Sequence, residues 1–203
     1  MGQAIKTKHT TLPASALRRR NTPALARWLI GKTLARRQSD GSVTRHIIIE
    51  TEAYHTEADL ACHAAKGRTP RTEVMYRAGG VWYVYLCYGV HEMLNLVTGP
   101  ENHPAAILIR AVRDDASPAV RDITGPGRVT KALAITRALN GATACDASST
   151  AQLWLEETPA AELRRAGVFK TRIRATPRIG IAYAGAVWSK KRWRFVAGTR
   201  QVV

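Results

Sequence analysis

The chain of 203 residues, 45% of them hydrophobic, is long enough for one packed domain with a substantial core, which excludes a disordered polycation. Its 31 Lys and Arg against 15 Asp and Glu give a formal charge of +16, which points to a polyanionic partner and to nucleic acid first, with a solubility surplus or an acidic protein partner as plainer alternatives. Three widely spaced cysteines are no disulfide framework, and neither a signal-type N-terminus nor a membrane-length apolar run is present, so a cytoplasmic protein on the chromosome is expected, without membrane contact.

Residues 1–20 are polar, basic and poorly periodic and read as a flexible arm; the folded domain is expected over 21–203. Thr22 can cap a helix with Pro23 in its first turn, Leu25, Trp28 and Leu29 forming its apolar stripe and Gly31 its stop. Ser39, Asp40 and Gly41 separate two extended runs and predict a hairpin whose second strand carries Glu52. "VWYVYLCYGVHEMLNLVTGPENHPAAILIRAV" holds three β-branched or aromatic runs, divided near Gly89 and at "GPENHP", as in an antiparallel meander. "GPGRVTKALAITRALNG" predicts a helix with Val129, Ala132, Leu133, Ile135 and Leu139 apolar and Gly141 at its end. A further helix is expected from Thr158 and Pro159 to Gly167. "RIGIAYAGAVWSKKRWRFV" then returns to strands around a charged turn at 189–192. Helix, strands, helices, strands in that order favour an α+β fold on a mainly antiparallel sheet.

On a strand, residues two apart share a face, so Glu50, Glu52 and Tyr54 project together, as do Tyr83, Tyr85 and Cys87. Two acids and a phenol on one surface are unexpected in so basic a chain. Aromatics at this spacing are core more often than ligand walls, and a single histidine such as His63 is often only a satisfied hydrogen-bonding group. Glu57, Asp59, Cys62 and His63 carry donor types suited to a divalent ion in a metal-dependent nuclease, yet no C-x-x-C, H-E-x-x-H or second nearby histidine supports a metal site. Nucleophilic catalysis by Ser or Cys has no motif behind it. "GPGR" opening a helix offers backbone N–H groups for a phosphate, without the ending of a P-loop; a plain helix start is the alternative, and a DNA-backbone contact is favoured by the charge.

The chain resembles the alkyladenine (3-methyladenine) DNA glycosylases of vertebrates and many bacteria. The match runs in order through "LARWLIGKTLARR", "ETEAY", His63, "TPR", "VWYVYLCYG", Asn95, "ILIRA", "GPGR", "KALAI" and "RIGIAYAG", roughly residues 24 to 198. It implies a curved, partly open barrel of mainly antiparallel strands with flanking helices and a protruding β-hairpin. It also implies a monofunctional enzyme that flips an alkylated or deaminated purine out of double-stranded DNA and hydrolyses its N-glycosidic bond without metal or cofactor. By this resemblance Glu52 aligns with the general base, Arg110 with an arginine that positions the attacking water, and Ile179 with a residue whose carbonyl holds that water. Tyr54, His63 and Tyr85 align with the walls of the base pocket and Asn95 with its purine-discriminating asparagine. Tyr88 aligns with the tyrosine that wedges into the duplex, and Arg68, Arg128 and Arg137 are expected to meet DNA. Glu50 has a structural ion pair as its default role. Two departures fall between His63 and Thr69, where the segment is shorter than in the vertebrate pattern, and at "VHEM" after Tyr88.

The chemistry suits such a site. An alkylated purine is electron-poor, often cationic and already a good leaving group, so a tyrosine-walled slot can hold it and one carboxylate suffices to activate water. A non-catalytic nucleic-acid-binding module with stacking aromatics is the rival reading. A monomer is expected.

Overall fold

The computed structural model describes residues 9–114 and 120–199. In chain order its elements are β1 (Thr10–Thr11), α1 (Ala14–Leu17), α2 (Thr22–Leu29), β2 (Thr33–Arg37), β3 (Val43–His55), β4 (Trp82–Cys87), β5 (His91–Val97) and β6 (Ala105–Asp114). There follow β7 (Arg121–Thr124), α3 (Pro126–Ala132), β8 (Leu153–Glu157), α4 (Ala160–Arg165), β9 (Val168–Thr176), α5 (Gly185–Lys190) and β10 (Arg194–Thr199). All the strands join one antiparallel sheet, so the class is the α+β one expected.

One long strand organises it. Along one edge β3 pairs with β6, and along the other with β2 in its first half and β10 in its second. In the same way β6 pairs with β5 and then β7 on its far edge. The path from β1 through β8, β2, β3, β6 and β5 ends at β4, and β1 and β4 do not pair, so the sheet stays open. Leu25 and Leu29 of α2, Ile48 of β3, Ile107 and Ile109 of β6 and Val129 of α3 meet in the main core beside Trp82 and Leu94. Burying a side chain of this size contributes roughly 1.5–3 kcal/mol.

The hairpin at 39–41 forms as expected: Gly41 takes a left-handed φ of 84° and Asp40 accepts from the Ser42 N–H and Oγ. The β4–β5–β6 meander forms too, with its first turn at Tyr88 and Gly89.

Five expectations are corrected. Residues 1–8 of the expected arm lie outside the described residues, but from residue 9 the chain is packed: β1 adds to the edge of β8, and Leu12 and Leu17 are buried in the main core. The cap of α2 is Asn21, whose side chain accepts from the Ala24 N–H, because Thr22 is buried and its hydroxyl bonds His55 Nδ1 instead. The helix after "GPGR" stops at Ala132 rather than running on to Leu139. Ala134 turns left-handed, bringing Ile135 and Leu139 into the core, and Arg36 donates to the carbonyl oxygens of Leu133 and Ala134 left open by the helix. Residues 182–188, expected as strand, and the first two residues of the expected turn form a 3-10 turn and α5; Ile181, Ala184 and Trp188 recur at helical spacing and pack on Ala61 and Tyr54. Finally, β7, β8 and β9 lie where no strand was expected.

Candidate active site

The site begins with an irregularity in β3. Its pairing with β6 shifts register on both sides of Glu50, a bulge that turns the neighbouring acids toward Arg110 of β6. Arg110 Nε donates to Glu50 Oε1 at 3.0 Å, and its Nη1 stands 3.5 Å from Glu52 Oε2. Arg194 of β10 donates to Glu50 Oε1 at 2.9 Å. Glu50 is thus held in a pair of ion contacts.

Glu52 is in a different position. It is fully buried, accepting the Ile179 N–H at 2.8 Å on Oε1 and the Tyr54 hydroxyl at 2.8 Å on Oε2. Burial raises its pKa above the ordinary glutamate range, against the lowering pull of Arg110, the Ile179 N–H and the Tyr54 hydroxyl. A carboxylate with raised proton affinity, fixed by two donors, is suited to accept a proton. Burial and the same carboxylate push the Tyr54 phenol well up, so Tyr54 stays a donor.

Above this pair lies a cavity of about 450 Å³. Tyr54, Arg110 and Ile179, the partners of Glu52, line it, while Glu52 itself sits behind them. His63, Tyr85 and Asn95 form other walls. His63 Nδ1 lies 3.0 Å from the Tyr83 hydroxyl and its ring meets Tyr85 edge-on at 4.5 Å between centroids. Burial, then the nearby cations Arg71 and Lys66, push His63 down to about 4, so it is neutral at neutral pH. The Asn95 amide nitrogen donates to the carbonyl oxygens of Tyr83 and Met93, tying the β4–β5 hairpin while the residue faces the cavity.

Tyr88 stands at the hairpin tip, 92% exposed, with a left-handed φ of 50° unusual for a tyrosine, at the rim of the same cavity. Of the basic residues expected to meet DNA, none lines the cavity. Arg68 forms a two-point pair with Glu73 and lies over the Tyr76 ring; Arg137 donates to Glu92 at 3.0 Å; Arg128 is exposed on α3. The glycines of "GPGR" have packing reasons: Gly125 starts α3 with φ 106°, and a Cβ on Gly127 would come within 3.1 Å of His91. The metal-donor residues disperse. Glu57 accepts from Tyr76, His63 bonds Tyr83, Asp59 is paired with Arg178, and no group of three or more such donors forms among the described residues.

Nothing in the residue pattern pointed to that last pair. Arg178 and Asp59, 119 positions apart, have fully buried side chains joined by two hydrogen bonds, the longer 2.8 Å. Arg178 also donates to the Ala53 carbonyl at 2.8 Å and lies over the Tyr54 ring. Asp59 in turn accepts from the His55 and Ala61 N–H groups. The pair therefore clamps residues 178–181 onto β3, which is what brings the Ile179 N–H to Glu52. Arg71, over the Tyr85 ring, and Tyr183, 72% exposed beside the cavity, were likewise not singled out from sequence.

Comparison with known proteins bears on this geometry. The family model described as methylpurine-DNA glycosylase matches residues 16–201. A Methanocella arvoryzae protein named "Putative 3-methyladenine DNA glycosylase" is 43% identical over 188 residues, covering 87% of each chain. A protein of the same name from Psychrobacter cryohalolentis is 43% identical over 195 residues, covering 86% of this chain and 85% of its own, and one from Sodalis glossinidius is 38% identical over 91% and 96%.

Proposed function

The chain belongs to the methylpurine-DNA glycosylase family, and on that premise we propose that it flips alkylated or deaminated purines, among them 3-methyladenine, 7-methylguanine, hypoxanthine and ethenoadenine, from duplex DNA and hydrolyses their N-glycosidic bond. The observation that carries this reading is Glu52, buried behind a tyrosine-walled cavity and held by the Ile179 N–H and the Tyr54 hydroxyl.

In this mechanism the flipped base stacks in the cavity between Tyr54 and Tyr85, with neutral His63 beside it adding no repulsion to a cationic ring. Stacking and cation–π attraction contribute about 0.5–2 kcal/mol each. Water attacks C1′ of the deoxyribose, and its proton passes to the Glu52 carboxylate. The C1′–N bond breaks with its electron pair going to the purine: a cationic alkylated base leaves neutral, and a neutral base such as hypoxanthine takes a proton from solvent and also leaves neutral. The ionised Glu52 also stabilises the oxocarbenium-like charge at C1′. Arg110, lying between Glu50 and Glu52, pulls the Glu52 pKa down against the raising effects of burial and of the neighbouring Glu50. Among the described residues no lysine lines the cavity, so direct attack by water, giving an abasic site without strand cleavage, is the chemistry favoured. We take the working form to be a monomer.

The test is a duplex carrying a single hypoxanthine, incubated with the protein and then heated in alkali. Scission at the lesion only after alkali, no adduct trapped by borohydride and full activity in chelator are expected. A trapped adduct, or cutting without alkali that chelator stops, would overturn the reading.

A further inference from the structure

From Leu163 to the end of the chain there are eleven Lys and Arg and no Asp or Glu. Two of these cations are committed, Arg178 to Asp59 and Arg194 to Glu50. The position of others is fixed by register. Glu52 pairs with Arg194 and Arg194 with Thr176; Glu50 pairs with Val196 and Val196 with Arg174. Directly opposed residues of antiparallel strands project to one face, so Arg174 stands on the same face of the sheet as the two acids, two strands away and roughly 10 Å distant. The alternate row of Thr51, Phe195 and Ala175 faces the other way, toward the core.

Arg172 comes next, inside the irregular stretch of β9 where its pairing with β10 shifts between Val196 and Gly198. A Cβ on Gly198 would come within 2.5 Å of Arg172 Cβ, so the glycine makes room for the arginine stem. Arg192 donates Nε and Nη2 to the Ala175 carbonyl and brings a third guanidinium against β9. All three arginines are exposed, and none makes an ion pair among the described residues. Arg172 and Arg174 on the face of the two acids, with Arg192 held against β9 beside them, present three guanidiniums without an ion pair among the described residues in a segment that holds no acid, which matches the spaced charge of a nucleic-acid backbone.

We propose that Arg172, Arg174 and Arg192 form a docking strip on β9 for the phosphates of duplex DNA beyond the flipped nucleotide. The strip rests on the glycosylase reading only for which nucleotide occupies the cavity; its own ligand is the polyanionic backbone, damaged or not.

The experiment measures the affinity of the full chain for an undamaged duplex and for an abasic-site duplex, across a series of salt concentrations. The double substitution Arg172→Gln and Arg174→Gln is compared with wild type. Arg121→Gln serves as a comparison for removal of charge alone; Arg121 pairs with Asp114 opposite His46, six residues along β3 from Glu52 and roughly 20 Å away. Removing one arginine–phosphate interaction should make the logarithmic salt slope shallower by about 0.9, so the slope of the double variant should fall by between one and two units, with weaker binding to both duplexes. Restoring charge with Lys at both positions should return the slope toward wild type. A slope in the double variant equal to that of wild type or of Arg121→Gln would overturn the strip. The two readings fail separately: excision with an unmoved slope removes the strip alone, and a fallen slope with no lesion excised by wild type removes the glycosylase mechanism alone.

Discussion

The floor of the cavity and the tip of the β4–β5 hairpin lie a short distance apart and are built on opposite terms. In the floor, Glu52, Tyr54, Ile179, Asp59 and Arg178 are bound to one another, and the side chains of the two acids and of Arg178 have no exposure. At the tip, Tyr88 and Val90 are 92% and 70% exposed, two large side chains whose apolar surface stays mostly in solvent. Groups that must hold a reacting atom are fixed before the substrate arrives, which removes reorganisation from the chemical step. On the proposed reading Tyr88 enters the base stack, and its bareness means that its burial is realised only on binding.

The contrast is broken most severely at the clamp. Asp59→Asn leaves the buried Arg178 guanidinium short of its counter-charge, and losing one partner of a buried pair costs about 3–5 kcal/mol, or roughly 6–20 °C in melting temperature for a chain of this size. Thermal unfolding followed by circular dichroism checks it. A loss under about 1 kcal/mol would mean that the pair is worth no more than a surface ion pair. Glu52→Gln keeps the shape of the floor and removes the proton acceptor. Single-turnover excision of hypoxanthine should fall by about two orders of magnitude or more, some 2.7 kcal/mol, with lesion binding retained. The same variant should be no less stable at neutral pH. A carboxyl whose folded pKa is raised by burial favours its neutral form on folding, so its ionisation above the unfolded pKa subtracts stability, and that cost is absent below it. At the tip the effects reverse in kind. Tyr88→Ala should weaken binding to lesion duplex by a few kcal/mol at most, the scale of unstacking one base step, and leave melting unchanged. A lower melting temperature with normal binding would place Tyr88 among the packed residues.

A smaller change sharpens the picture of the floor. Tyr54→Phe keeps the aromatic wall and removes one of the donors that hold the Glu52 pKa down. In the proposed mechanism Glu52 must be ionised to act, and its pKa is already raised, so activity should be lost on the acid side of the profile; without the hydroxyl that limb should move to higher pH. Excision rates over a pH series decide it, and a limb that stays or moves to lower pH would show that Tyr54 does not tune Glu52.

The same contrast explains what can be read from the residues alone. Period-two patterns place Glu50, Glu52 and Tyr54 on one face, and the Ser39–Gly41 hairpin and the β4–β5–β6 meander are visible in their turn residues. The different fates of Glu50 and Glu52 are not, because the partners that fix them, Arg110 and Arg194 at Glu50 and the Ile179 N–H at Glu52, lie sixty or more residues away along the chain. Asp59 and Arg178 are invisible for the same reason. In isolation Asp59 looks like a metal donor, and nothing near Arg178 signals burial. Residues 9–17 escape pattern reading because their two core leucines are embedded in polar sequence, and 182–190 because small residues mask a helical period. The cavity walls emerge only through resemblance to a known family.

Asn95 sits where the two regions join, and its prediction is the finest. Its amide nitrogen already donates to Tyr83 and Met93, so the residue ties the hairpin whose far end carries Tyr88, and it faces the cavity as well. Guanine differs from hypoxanthine only by the exocyclic 2-amino group. A pocket can reject such a group by crowding it, and crowding by the Asn95 side chain, which lines the cavity, is the role proposed for it. Asn95→Ser shortens the side chain and should raise excision of guanine relative to hypoxanthine. Losing the two hairpin bonds should cost about 1 kcal/mol each, lowering melting modestly. The two readouts separate the roles: if melting falls while the guanine-to-hypoxanthine ratio stays fixed, Asn95 is a hairpin tie alone and selectivity lies elsewhere in the wall.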